Sequence, residues 1–188
     1  MSVLTNIQVF GLEDSVRASK YPMATDVAKC TADVTVTANK LAACESNSGE
    51  DNFLSGIIAQ FDLTFTVKAW TEAERYHFFQ IVSSQSTMHR ITRFDIDKTY
   101  IDYVDERSIE VMRDLIAKYN ADNSAINYLR VLYSNPCGCK LTARISTNYR
   151  QLKTIYRQRR AHRLPEWREF CEQLKALPYS EWITGADA

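Results

Sequence analysis

IIAQFDLTFTVKAWTEAERYHFF, residues 57–79, decides how this chain is read. Over residues 57–67, Phe61, Leu63, Phe65 and Val67 alternate with Gln60, Asp62, Thr64 and Thr66. Successive strand side chains point to opposite faces, so the pattern predicts a strand with one apolar and one polar face. Thr71 then stands three residues before Glu74, the spacing of a capping box, and Ala73, Tyr76, His77, Phe79 and Gln80 continue at helical spacing. A strand feeding a helix at residues 68–71 is therefore expected, with Phe61, Leu63, Phe65 and Val67 in one core.

Working outward, Asn6–Phe10 reads as a short strand stopped by Gly11, and residues 12–20 as a possible helix. Residues 35–44 permit a helix, and SNSGED after them has loop composition. SSQSTMHR (83–90) lacks strong periodicity and reads as a structured loop or ragged helix end. Residues 105–119 and 124–133 read as amphipathic helices. SNPCGC (134–139) is a turn, Leu141, Ala143 and Ile145 alternate briefly, and Ser146 or Thr147 is placed to cap a helix carrying Tyr149, Leu152, Ile155 and Tyr156. Pro165 suits the first turn of a last helix through Trp167, Phe170, Cys171 and Leu174. Strands and longer helices without regular βαβ alternation predict an α+β or irregular α/β fold, a mixed or antiparallel sheet flanked by helices, in one domain over residues 1–188.

Composition narrows the function classes. Lys plus Arg (23) balance Asp plus Glu (23), so no whole-molecule field drives the chain onto nucleic acid or a membrane. With no basic leader followed by an apolar run, and no run near the ~18 residues of a membrane helix, the expectation is a soluble cytoplasmic protein. Five scattered cysteines argue for reduced thiols rather than a disulfide framework. Cys137 and Cys139 lack the second half of a metal knuckle, so no metal is expected.

Local charge says more. From Lys140 to Leu164, the cations Lys140, Arg144, Arg150, Lys153, Arg157, Arg159, Arg160 and Arg163 meet no acid. Guanidinium forks on successive turns can grip phosphates of a nucleotide or of RNA; the plainer alternative is a solvated helix face. Ser83, Ser84, Ser86, Thr87, His89 and Arg90 form a second polar cluster whose hydroxyls and guanidinium suit an anion, or equally a hydroxyl-rich loop.

In order along the chain, these pieces resemble the flavin-dependent thymidylate synthases (ThyX). VFGLEDSVRASKYPM (9–23) is similar to the opening strand and V-R-A-A-R helix, and Phe53 matches within the family's H-G-H-x-x-P-F-E-H loop. FDLTFTVKAWTEAERYHFF (61–79) resembles the F-x-F-x-x-K-x-P strand and helix, keeping Lys68 and Arg75, with SSQSTMHR at the end of the signature. ISTNYRQLKTIYRQRR (145–160) resembles the N-x-R-S-L segment: Asn148, Arg150 and Leu152 match its core, and Arg159 falls at the substrate-holding arginine. RLPEWREF (163–170) is similar to A-Q-x-E-I-R. Phe78, Phe79 and Gln80 stand where the family carries R-H-R.

The resemblance implies a homo-oligomer, FAD as cofactor, and methyl or hydroxymethyl transfer to a deoxyuridine nucleotide if the ancestral reaction survives. The residues at 78–80 lead instead to the expectation of a nucleotide- or nucleic-acid-binding protein without ordinary synthase activity. Its binding residues would be Arg75, Ser84, Ser86, Arg90, Asn148, Arg150, Arg157 and Arg159; no catalytic residue is assigned. The alternative is a phage or mobile-element inhibitor or adaptor, such as an anti-CRISPR protein, using this scaffold to dock on a host protein or guide RNA.

Overall fold

The alternation at residues 57–67 becomes the second strand of an antiparallel sheet. The computed structural model describes residues 3–185. Its elements are β1 Leu4–Phe10, α1 Leu12–Ala18, α2 Val36–Ala43, β2 Ile58–Thr66, α3 Val67–Ala73, β3 Phe79–Ser84, α4 Thr87–Arg90, α5 Ile96–Thr99, α6 Glu106–Ala121, α7 Ala125–Ser134, β4 Lys140–Asn148, α8 Tyr149–Arg159, α9 Pro165–Leu174 and α10 Glu181–Thr184. Short 3₁₀ turns link several of them. Among the described residues four strands form one sheet, ordered β1-β2-β4-β3, with every neighbouring pair antiparallel. The fold is α+β, with the sheet antiparallel rather than mixed.

Register explains the core. Phe61 pairs with Ile145 and Leu63 with Ala143, so both strands turn apolar side chains to one face. Phe61, Leu63 and Phe65 are fully buried there, each such burial worth about 1.5–3 kcal/mol. α9 covers them: its Trp167 ring sits 4.7 Å from Phe65, and Phe170 5.9 Å from Phe61. Trp167, Phe170, Cys171 and Leu174 supply the buried stripe of α9, which opens on Pro165 as expected. A second apolar cluster gathers Ile91, Tyr100, Met112, Val131 and Cys139, with residues of α6 and α7 packed against it.

Five expectations are corrected. The helix after β2 starts at Val67, because the Thr66 hydroxyl accepts from Ala69 N at 3.1 Å. Thr71 lies inside that helix and donates to Lys68 O at 2.8 Å, and Val67 belongs to the second cluster rather than the main core. The apolar spacing through residues 76–80 does not continue the helix: Phe79 and Gln80 begin β3, with Phe79 turned onto Phe61 and Phe170. Tyr76 and Phe79, three apart and both buried, fit a helical stripe as well as a turn entering a strand. Residues 83–90, expected as a structured loop or a ragged helix end, divide instead between β3, which Ser83 and Ser84 end, and the short helix α4 at Thr87–Arg90. Finally, β4 runs to Asn148, and Asn148 rather than Ser146 or Thr147 caps α8, accepting from Gln151 N at 2.8 Å.

At the other end of the sheet, β1 does end at Gly11, whose φ of 71° is a conformation glycine adopts without strain. A Cβ there would lie 2.6 Å from Gly56 O, so the glycine also permits close approach of the 52–56 turn. Among the described residues no helix is long and apolar enough to cross a membrane, and no group of His, Cys, Asp and Glu is arranged to hold a metal.

Candidate functional site

The acid-free basic run finds its acids in distant segments. Arg144 bonds Asp62 at 3.3 Å, with further bonds to Asn6 O and Gln8. The Asp62 carboxyl is held below the usual carboxylate range, chiefly by the Asn6 amide and then by Arg144, against the opposing effect of burial. Arg150 Nε meets Asp51 at 3.1 Å and its Nη1 meets Asn52 at 3.0 Å. Lys153, also 3.1 Å from Asp51, donates to the carbonyls of Ala42 and Cys44. Asp51 is fully buried, so this junction clamps α8 to the loop between α2 and β2.

Arg159, the position that the resemblance gives to substrate, lies in a second junction. Its Nη1 is 2.6 Å from Glu72 Oε2, its Nε donates to the Tyr76 hydroxyl at 2.7 Å, and its guanidinium lies 5.0 Å from the Trp167 ring centroid. Tyr76 passes its own proton toward Gln158 Oε1 at 2.9 Å. Burial pushes the Tyr76 phenol up despite the lowering effect of Arg159. Leu164 N–H donates to His162 Nδ1 at 3.2 Å, so a neutral ring carries its proton on Nε2 and directs it at Glu72 Oε2, 3.2 Å away. Two donors thus converge on one carboxylate oxygen, with Arg159 Nη1 2.8 Å from His162 Nε2. The Arg159 side chain is only 11% exposed and Glu72 17%, so the guanidinium is held within the molecule.

The other expected site residues separate into groups. Asn148 is buried and its Oδ1 is engaged as the α8 cap. Arg157 is exposed on α8, two residues from Arg159 on another side of the helix. Arg75, in the turn before β3, and Arg90, at the end of α4, are exposed. Ser84 ends the edge strand and Ser86 precedes α4 without capping it. The side chains of Arg75, Ser84, Ser86, Arg90 and Arg157 have no hydrogen-bond or ion-pair partner among the described residues. The structure therefore does not bring Arg150, Arg157 and Arg159 together: Arg150 and Arg159 close separate junctions, and Arg157 faces outward.

Phe78 is exposed, Phe79 is buried in the core, and Gln80 is exposed on the edge strand. The chain as a whole nevertheless follows a known architecture. Two structures of ThyX from Helicobacter pylori, each complexed with FAD and dUMP, superpose on the chain with TM-scores of 0.72 and 0.75. The match covers 97% of this chain and 99% or 98% of those, at 14% and 15% identity. The fold is that of a flavin-dependent thymidylate synthase. No family model matches the sequence, and no curated protein does so either.

On this synthase fold, the residues missed from sequence are those that fix the arginines: Glu72, Tyr76 and His162 around Arg159, and Asp51 with Lys153 around Arg150. Glu72 and Tyr76 are four apart and Arg159 and His162 three, but Tyr76 and His162 lie beyond the ends of α3 and α8, so helical spacing does not pair them. Which face meets which depends on the sheet and is not written in either segment alone.

Proposed function

We propose that this chain binds a nucleotide on the ThyX fold but does not carry out the synthase reaction. The observation that carries the reading is the end-to-end likeness to synthases solved with FAD and dUMP. Arg75, Arg90 and Arg157, cations without internal partners, supply phosphate contacts, with Ser84 and Ser86 as hydroxyl donors. Asn148 orients α8 as its cap, while Arg150 and Arg159 act by holding the scaffold.

Two features argue against reductive methylation. Phe78, Phe79 and Gln80 offer no cation to a flavin diphosphate, and the substrate-holding position is neutralised by Glu72. The residues at 78–80 do not fit FAD as the R-H-R of the resemblance would. A homo-oligomer belongs to the same reading: among the described residues β3 has one open edge, beside exposed Phe78, Ile81, Val82 and Met88.

The test is isothermal titration of purified protein with dUMP and with FAD, alongside its absorption spectrum. The expected result is dUMP binding without the flavin band near ~450 nm, and weakening by about 1–3 kcal/mol in Arg157→Ala, Arg75→Ala or Arg90→Ala. If dUMP and other mononucleotides do not bind, the nucleotide reading fails; if the protein forms thymidylate with added flavin, the loss of synthase chemistry fails. The open β3 edge favours a second reading, an adaptor that docks on a protein by strand addition. A partner whose capture is abolished by Val82→Pro would support it.

A further inference from the structure

A cavity of about 470 Å³ opens between the first turn of α9, the start of α3 and the segment 101–104. Its size suits a small organic ligand. Its lining contains Lys68, Arg163 and Arg168 as cations and Glu166 as the sole acid. None of the residues used in the nucleotide reading lines it, so the two ideas can fail separately.

The walls combine two chemistries. Ile101, Val104, Leu164 and Pro165 present apolar surface. Gly138 lets the 137–139 turn close against that wall, since a Cβ there would meet Val104 Cγ2 at 2.3 Å. On the polar side, Arg168 Nη1 donates to His162 O at 2.6 Å and Arg163 O at 2.8 Å, which fixes the guanidinium and leaves its other N–H groups available. Arg163 has no side-chain partner among the described residues. Lys68 is half exposed and has only a long 3.9 Å contact to Glu72.

Glu166 supplies the observation that points beyond an empty surface cleft. The residue is 8% exposed, and its Oε1 accepts from the Thr66 hydroxyl at 2.5 Å. Its Oε2 is buried with no hydrogen-bond partner among the described residues. A buried carboxylate oxygen left without a donor is destabilising, so a donor brought by a ligand would relieve it.

We propose that this cavity binds a small organic anion with an apolar body, a carboxylate or phosphate head held by Lys68, Arg163 and Arg168, and an N–H or O–H for Glu166. Cys137, exposed on the lining, is a built-in reporter, whereas Cys139 and Cys171 are buried. The measurement is the rate of iodoacetamide alkylation at Cys137, followed by peptide mass spectrometry, with 4-hydroxyphenyl phosphate, 4-hydroxyphenylacetate or neutral 4-hydroxybenzyl alcohol added. At about five times its Kd, a ligand leaves the cavity open in about one sixth of molecules, so alkylation should slow about sixfold. Protection by 4-hydroxyphenyl phosphate or by 4-hydroxyphenylacetate supports the site and identifies its head group. That protection should disappear in a Lys68→Gln/Arg163→Gln variant, both positions being free of structural bonds beyond the long Lys68 contact. Absence of protection by both anions overturns the proposal, as does equal protection by 4-hydroxybenzyl alcohol or undiminished protection in the double variant.

Discussion

A guanidinium on a basic helix is available to a ligand only if no acid reaches it first, and here position along α8 decides that. Arg159 sits over Trp167 and against Glu72, whereas Arg157 has no partner among the described residues. Removing one member of a largely buried pair strands the other, which typically costs about 3–5 kcal/mol. Because Glu72 keeps some solvent contact, Glu72→Gln should destabilise by about 2–3 kcal/mol, read as a lower urea midpoint at unchanged slope. Arg157→Ala should stay within about 0.5 kcal/mol of the parent. A reversed order would mean that Arg159 is not internally held. The like-charge run from Lys140 to Leu164 was legible in sequence; its partners Asp51, Asp62 and Glu72 were not, because each lies about 80 to 100 residues away and meets the run only through sheet pairing and helix packing.

Helix α3 and strand β3 hold the clearest lesson at the level of elements. The β2 alternation at Phe61, Leu63 and Phe65 was legible because a half-buried strand enforces a period of two on its own residues. The start of α3 was not, since residues 66–74 contain two threonines at cap-compatible positions and local pattern favours Thr71, which has Glu74 three residues later. Tertiary structure selects Thr66, because its hydroxyl donates to Glu166 Oε1 from α9 while accepting from Ala69 N. Thr66→Val removes a cap and leaves a buried carboxylate without its donor, and should cost about 2–4 kcal/mol by urea unfolding. Thr66→Ser should recover most of this, and Thr71→Ala should lose less than about 0.5 kcal/mol. If Thr71→Ala proves the more damaging, the cap assignment is wrong. The start of β3 was hidden for a related reason: Phe79 is apolar in either reading, and only its packing on Phe61 and Phe170 distinguishes them.

Over the whole molecule, the main core sheet and the second cluster both bury groups that ionise only in alkali. Burial raises the Cys139 thiol and pushes Cys171 up to about 12, from an ordinary value of 9.0. Tyr100 is pushed up to about 12 from 10.0, and Tyr149 and Tyr76 are also raised, in each case chiefly by burial. For every one of these groups the unfolded chain releases its proton at lower pH than the folded protein. The unfolded state therefore binds fewer protons between the two values, and stability must fall as pH rises. Below about pH 8 the contribution is complete. Above about pH 9 the loss from Cys171 should approach about 1.4 kcal/mol per pH unit, Cys139 should add to it in the same direction, and above about pH 10 the tyrosines should steepen the fall. Urea midpoints measured by circular dichroism from pH 7 to pH 11 should trace this bend. Cys171→Ala removes one contributor, so its stability should decline less steeply than the parent's between about pH 9 and pH 10, whatever its cost at neutral pH. Parallel curves for parent and variant would mean that the Cys171 thiol ionises alike folded and unfolded, contrary to its burial in the main core.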